Sequence, residues 1–337
     1  MAAPLPLGKL PAPLLERLLN LVAPADPSVV VGPGVGLDAA VLNLGDRYLV
    51  VTTDPITFAT DAIGWYAVQV NANDIACTGA TPRWFLATLL LPEGHTEPAL
   101  AEAIFSQIGA ACRALNISLV GGHTEITYSL DRPIVVGMML GEVQPAQLVT
   151  AAGAQVGDAL ILTKGIAVEA TAIIAREQAD TLAGRFPPDF LEHCRNFLYQ
   201  PGIGVMRDAQ VAISAGRVHA MHDPTEGGLA TGLRELAQAS GVGLEVDGDA
   251  IPVLPETAAL CAEFGLDPAG VIASGALLLA VAAEDAGAIT AALQAAGIAA
   301  AVIGRVLPAE GGLWLRQGSE ARPLPGFERD EIARLFE

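Results

Sequence analysis

The chain has 337 residues, 52% of them hydrophobic, and carries 37 acidic against 18 basic side chains for a formal charge of -19. That length suits two domains with a substantial core, and the acidic field disfavours nucleic acid while leaving a nucleotide compatible through magnesium and backbone N–H groups. Apolar stretches such as Ala276–Ala283 fall far short of the roughly 18 residues a membrane helix needs, and the Pro-rich start does not read as a signal peptide.

In chain order, the β-branched run Tyr48–Thr53 predicts a strand ending at Asp54, just before Pro55. Ile63, Ala67, Val70 and Ala76 predict a helix within Asp61–Ala80. Trp84–Leu91 reads as a buried strand, and Pro98–Leu115 as a helix with Leu100, Ile104, Ile108 and Ala111 on one face. Ile117–Val120 is a short strand running into Gly121-Gly122, and Ile134–Val143 is another. Gln144–Asp158 has no period and carries Pro145, Gly153 and Gly157, so the domains are expected at 1–150 and 151–337. The second half reads as strand Ala159–Thr163, then helices Val168–Arg176, Asp189–Tyr199 and Val205–Ala215. Strand Val218–Met221 and helix Glu226–Ser240 follow, then strands Ala276–Ala282 and Ala300–Val306 around helix Glu284–Ala296. Strands and helices mix in both halves, which predicts a two-domain α+β or α/β fold.

The four cysteines, Cys77, Cys112, Cys194 and Cys261, form no C-x-x-C pair, which leaves a zinc knuckle unsupported and fits a reducing cytoplasm. The two lysines are Lys9 and Lys164.

Five segments carry candidate chemistry. The glycine-dense run Gly32–Asp38, with Gly36 near its end, suits either a flexible loop or an anion nest. No Lys-Ser/Thr follows it, so it is not a Walker loop. Asp38 and Asp54 flank a strand, while Asn73 and Asp74 interrupt an apolar helix. A carboxylate there serves a metal, a solvated face or a cap, and all-oxygen ligands favour magnesium. In Gly121-Gly122-His123-Thr124-Glu125 the glycines suit a close nucleotide or a tight turn, and His123 suits phosphate donation or acid–base work. In His222-Asp223-Pro224-Thr225-Glu226-Gly227-Gly228, Thr225 fits an N-cap with Glu226 in the first turn. His222-Asp223 and the paired glycines fit a phosphate-binding helix start instead. Lys164 ends a strand, as a solvated charge or a phosphate ligand.

Taken together in this order, these motifs resemble the AIR-synthase (PurM-like) superfamily of ATP-using enzymes. His222–Leu229 looks most like its HypE-type hydrogenase-maturation branch. Thr52-Thr53-Asp54 and Asn73-Asp74-Ile75-Ala76 are shared with thiamine-phosphate kinase sequences. The resemblance implies an α+β PurM-like fold, with an N-terminal domain that builds a β-barrel with its twin and a C-terminal α/β domain. It implies ATP and Mg2+ as cofactors, magnesium on Asp38, Asp54 and Asp74, and nucleotide contacts from Gly36, Asn73, Gly121, Gly122, Glu226, Gly227 and Gly228. Asp223, His123 and Lys164 are the implied catalytic groups. The implied reaction is ATP-dependent activation of a carbonyl, amide or phosphate oxygen on a small molecule or carbamoyl/acyl-type group. A thiamine-monophosphate kinase-like phosphotransferase and a non-catalytic nucleotide-binding partner in a maturation complex are the alternatives. A homodimer, a protein partner delivering substrate and a cytoplasmic location belong to the same expectation.

Two departures stand out. HypE carries its substrate on a C-terminal cysteine, whereas this sequence ends Ala333-Arg334-Leu335-Phe336-Glu337 and its last cysteine is Cys261, so the usual HypE reaction is not expected on this tail. His123 stands where HypE and thiamine-phosphate kinase have an aspartate, closer to selenophosphate synthetase, whose N-terminal Cys/Sec loop this chain lacks.

Overall fold

The computed structural model describes Leu5 and residues 8–22, 26–57, 59 and 61–336. The chain divides into two compact units. One, here the N-terminal unit, holds Asp38–Leu148 with the segment preceding Pro33; the C-terminal unit holds the start of the chain, Pro33–Leu37 and everything from Val149 on. Among the described residues no helix is long and apolar enough to cross a membrane.

After α1 (Ala12–Leu19), the N-terminal unit runs β1 (Val29–Val31), β2 (Ala40–Asn43), β3 (Tyr48–Ile56), α2 (Ile63–Cys77), β4 (Thr81–Pro92), α3 (Pro98–Leu115), β5 (Ser118–Thr127) and β6 (Ile134–Val143). Its six strands form one sheet in the order β1-β2-β3-β6-β4-β5. Every pairing is antiparallel except β4 with β5, which α3 connects as a crossover. α2 packs against β3, β6 and β4 on one side and α3 on the other. That explains why its apolar residues show no clean stripe: a helix covered all round has no polar face. β5 is the edge strand, and its side chains are exposed along nearly its whole length.

The C-terminal unit continues with β7 (Ala159–Thr163), α4 (Val168–Glu177), α5 (Ala179–Leu182), α6 (Pro188–Arg195), α7 (Met206–Ala215), β8 (Val218–His222), α8 (Gly228–Ser240), β9 (Gly243–Asp247) and α9 (Pro255–Phe264). It ends with β10 (Leu278–Val281), α10 (Ala286–Ala295), β11 (Ala300–Leu307), β12 (Leu313–Gln317) and β13 (Glu320–Pro323). The sheet order is β13-β12-β9-β11-β7-β10-β8, antiparallel throughout except for β9 beside β12. β7 and β10 are central and buried on both faces, so Ala-Leu-Ile-Leu-Thr and Leu-Leu-Ala-Val are continuous apolar runs rather than alternating ones. Leu160, Leu162, Leu278, Leu244 and Val246 form a core with Leu229, Leu233 and Leu236 of α8.

Two local expectations give way. Gly121-Gly122-His123 is not a turn after a strand; it lies within β5, paired with Leu86, Ala87 and Thr88 of β4. α8 starts at Gly228 with Gly227 in the left-handed conformation at its N-cap, so Thr225 is not the cap and Glu226 precedes the first turn.

Candidate functional site

Within the N-terminal unit, β3 and α2 bring three of the sequence-singled carboxylates to one region. Thr52 Oγ1 lies 2.7 Å from Asp74 Oδ2 and 2.9 Å from the backbone oxygen of Asp38. Its single proton serves one of them at a time. The Asp54 N–H donates to Asn71 Oδ1 at 3.0 Å, and Asn71 Nδ2 donates to Ala67 O at 2.8 Å within α2. Asn71 is therefore the tie that fixes Asp54 against α2, with Asp74 one turn further along. Asp74 and Asn73 are buried, and Asp38 and Asp54 are half-buried. The three residues supply hard oxygen donors of the kind magnesium takes, but among the described residues their carboxylates do not converge as a preformed metal-binding triad.

His123 stands apart on the exposed face of β5, its Nε2 3.2 Å from Glu125 Oε2 two residues along the same strand. Gly122 has φ +150°, and a Cβ there would sit 1.9 Å from Ala87 O. Pairing with β4 thus accounts for that glycine without a ligand. Gly121 has no such constraint: a Cβ there would meet Leu86 at an ordinary 3.8 Å.

In the C-terminal unit, the ends of β7 and β8 and the starts of α4 and α8 gather a second polar region. His222 Nε2 pairs with Glu235 Oε2 of α8 at 2.9 Å, and Lys9 Nζ lies 3.6 Å from Glu235 Oε1 and 3.5 Å from Thr225 Oγ1. Burial alone would raise the Glu235 pKa, but the His222 hydrogen bond and the Lys9 charge hold it below the ordinary carboxylate value. Gly36 meets the same helix: a Cβ would come within 2.9 Å of Glu235 O. Asp223, beside His222, is buried.

The paired glycines after Glu226 do not present free N–H groups. Gly227 N–H donates to Asp330 Oδ2 at 2.7 Å, and Gly228 N–H donates to Thr225 O at 3.0 Å. Asp330 Oδ1 accepts the Ile332 N–H at 2.8 Å. A carboxylate from the end of the chain thereby occupies the position at which a phosphate was expected. Burial pushes the Asp330 carboxyl up to about 6 against those backbone donors, and Glu226 adds to the rise.

Lys164 is a correction. Rather than a solvated charge or an available phosphate ligand, it is buried, with Nζ 3.4 Å from Asp208 Oδ2 and donating to Gly204 O at 2.6 Å. Asp208 Oδ1 also accepts from Thr163 Oγ1 at 2.7 Å. Burial depresses the Lys164 pKa and raises that of Asp208, each opposed by the other's charge. The ammonium is committed to the end of β7.

Sequence reasoning gave no role to Thr52 or Asn71, although both lie in its motifs, and did not single out Glu235, Asp208, Asp330 or Glu169. For Glu169 the signal was present: it is a carboxylate inside the apolar run Ile166–Ile174, the pattern that marks Asp74. For the others the partner lies 13 to 103 residues away and no local pattern reveals it.

Comparison with known proteins adds the family. The AIR synthase related protein, N-terminal domain model matches residues 36–143, and the corresponding C-terminal domain model matches residues 155–314. A carbamoyl dehydratase HypE of Rhizobium leguminosarum bv. viciae is 32% identical over 81% of this chain and 77% of its own length. The HypE of Rhodobacter capsulatus is 31% identical over 88% of each. A solved structure of hydrogenase maturation protein HypE in complex with ATP superposes with a TM-score of 0.72 at 25% identity, covering 94% of this chain and 95% of that one. HypE in a HypE–HypF complex shares the fold at a TM-score of 0.75 and 20% identity, covering 93% and 99%. With both domain models matched and HypE relatives aligned over most of their length, the chain belongs to the AIR synthase related family.

Proposed function

We propose that this protein is an ATP- and magnesium-dependent enzyme that activates the oxygen of a carbamoyl or related amide group by phosphoryl transfer. The observation that carries the reading is the acidic region of the N-terminal unit, where the Thr52 hydroxyl lies within hydrogen-bond reach of both Asp74 and the Asp38 backbone oxygen and Asn71 ties the Asp54 backbone to α2. The kinship with carbamoyl dehydratases and with an ATP-bound HypE supports the choice of nucleotide and substrate class. On this reading Asp38, Asp54 and Asp74 hold magnesium, with Asn73 beside them. Magnesium and ATP supply charge neutralisation and a phosphoryl group that turns an amide oxygen into a leaving group. The chain's own part is to hold the Asp74 carboxylate through Thr52, and the backbone at Asp54 through Asn71, before the ligand arrives.

Each cysteine of the sequence is buried, and burial pushes the thiols of Cys112, Cys194 and Cys261 up to about 11, 12 and 12. We therefore assign the carbamoyl-bearing atom to none of them. We take the two compact units as the two domains, and assign β5 as the strand that pairs with a twin chain, because this edge exposes Leu119, Val120 and Ile126. A protein that delivers the carbamoyl group completes the reading, on the analogy of the HypE–HypF complex.

The test is calorimetric titration of ATP with and without magnesium on the wild type and on Asp74→Ala. The expected result is magnesium-dependent binding that is lost in the variant. Absence of binding to the folded wild type, or full binding by the variant, overturns the assignment. A screen of ADP release with carbamoyl compounds against thiamine monophosphate then separates the amide-activating reading from a kinase.

A further inference from the structure

Beyond β13, residues 324–336 are laid across the C-terminal unit and held by ties to other elements. The near end is fixed to β12 and α8. Leu324 N–H donates to Leu313 O at 2.9 Å, and Arg234 donates through Nε to Pro325 O at 3.0 Å and through Nη2 to Leu324 O. Phe327 then covers Gly270, where a Cβ would come within 2.6 Å of its ring. The far end is a 3-10 stretch, Glu331–Phe336. Glu331 N–H donates to Gly270 O at 3.0 Å, Arg334 Nη1 to Gly265 O at 3.1 Å, and Gln178 Nε2 to Leu335 O at 3.2 Å. Between the two ends stands Asp330, 7% exposed, with each oxygen on a backbone N–H: Oδ2 on Gly227 ahead of α8, Oδ1 on Ile332. Leu324, Ile332 and Ala333 are its buried apolar side chains. A segment with so little apolar burial and so many single ties opens at a lower free energy than the sheet beneath it.

Asp330 is held under opposing influences. The N–H groups of Gly227, Ile332 and Ile272 favour its charged form. The acids around it do not: Glu226 precedes α8 and Glu169 opens α4, and each repels it. Asp267, on the loop after α9, is a further acid, with Oδ1 on the Ala269 N–H at 2.9 Å. Within the segment, Glu331 is paired with Arg334 at 2.8 Å, and Arg329 is exposed. Burial outweighs the N–H donors and pushes the carboxyl from 3.8 up to about 6. The closed segment therefore holds its proton more tightly than an open one. Closure is firmest below the open value of 3.8 and weakens as the pH rises through about 6.

We infer that Gly326–Phe336 is a strap that opens as one piece, hinged beside the Arg234 ties, with Asp330 as the lock that closes it over the start of α8. Closed, it withholds the Gly227 N–H. Open, it uncovers that N–H together with the Gly265 and Gly270 carbonyls, and the sheet stays intact. Rising pH favours the open form, because the ionised lock sits among like charges. The device is separate from the reaction proposed above and stands or falls without it.

Amide exchange on the full chain, resolved by residue and corrected for the intrinsic pH dependence, tests the strap. The reporting amides are Gly227, Ile332, Glu331 and Ala333, which donate to the Asp330 carboxylate, to Gly270 O and to Asp330 O. They are expected to share one opening constant, larger than that of the amides of β7 and β10. That constant should rise about tenfold from about pH 5 to 7.5, the change set by a group at about 6 closed and 3.8 open. Asp330→Asn keeps the shape and removes the titration, and is expected to flatten the profile to within about twofold. Arg334→Met frees the far end from Gly265 and should raise all four constants together at every pH, with the tenfold rise retained. It decides the single-piece opening if Asp330→Asn does not fold, which the β7 and β10 amides report. Unequal constants among the four amides, a flat wild-type profile, or a rise retained in folded Asp330→Asn overturns the strap.

Discussion

Glu169 gives the sharpest stability prediction. Burial first, then the like charges of Asp330 and Glu226, push its carboxyl from an ordinary 4.5 up to about 7, with Ser274 opposing the rise. The folded protein therefore binds more protons than the unfolded chain between those values. The stability this group contributes is complete below its unfolded pKa and is lost as the pH rises through about 7. At about 1.4 kcal/mol per pKa unit, the loss is on the order of 3 kcal/mol, undiscounted because the group is fully buried. Glu169→Gln keeps the shape and removes the titration. An unpartnered amide carries its own desolvation cost, so the informative quantity is how the difference between the two proteins changes with pH. Urea denaturation at intervals from about pH 4.5 to 8 should show wild type losing about 2 to 3 kcal/mol relative to the variant across that window, with no further divergence above it. The slope of Asp330 runs in the same direction and is common to both proteins, so it largely cancels. Superimposable pH profiles, or a variant that loses ground as pH rises, would refute the argument.

Four further outcomes follow from the geometry. Lys164→Met strands the Asp208 carboxylate in the core and should cost about 3 to 5 kcal/mol by chemical denaturation, while Lys164→Met combined with Asp208→Leu should recover much of it. Gly122→Ala forces a Cβ into Ala87 O and should separate β5 from β4, seen as faster amide exchange along β5 with α3 and β6 less affected. Asp330→Ala releases the Gly227 N–H, and exchange at that amide should rise by at least about tenfold, since the bond to a charged acceptor is worth about 1.5 to 3 kcal/mol. None of the four thiols should react with an aromatic disulfide reagent in the native state, and all four should react in denaturant; rapid labelling of any of them in the folded protein would refute the buried assignment.

The elements most legible in the sequence were those with a clean period or a continuous apolar run. Pro98–Leu115 and Ile134–Val143 have the bounds their patterns predict, because one helix face meets α2 and the strand is held on both edges. α2 was blurred for a physical reason: a helix enclosed by sheet and helix carries no amphipathic signal. The strand β5 was shortened because Gly121-Gly122 reads as a turn. In the fold those glycines are in register with Leu86 and Ala87, information that lies in a strand 35 residues away. The start of α8 was displaced for a similar reason. Thr225 matches a local cap, but the Gly227 N–H is satisfied by Asp330, which follows it by 103 residues.

The same division runs through the candidate site. The carboxylates Asp38, Asp54 and Asp74 could be marked from sequence because a charge in an apolar setting needs a partner wherever it folds. What holds them could not be assigned, since Thr52 and Asn71 stand in the same motifs but take their roles only when β3 is laid on α2. Lys164 shows the converse. Scarcity made it conspicuous, but scarcity does not distinguish a ligand from a buried counter-charge; Asp208, on α7, does. Glu169 satisfied the same test as Asp74, a lone carboxylate inside an apolar helix, and the structure separates the two. Asp74 has its Thr52 hydroxyl, whereas one oxygen of Glu169 has no hydrogen-bond partner among the described residues. A buried charge read from sequence thus signals that a partner is required, and only the packed structure says whether the protein supplies that partner itself.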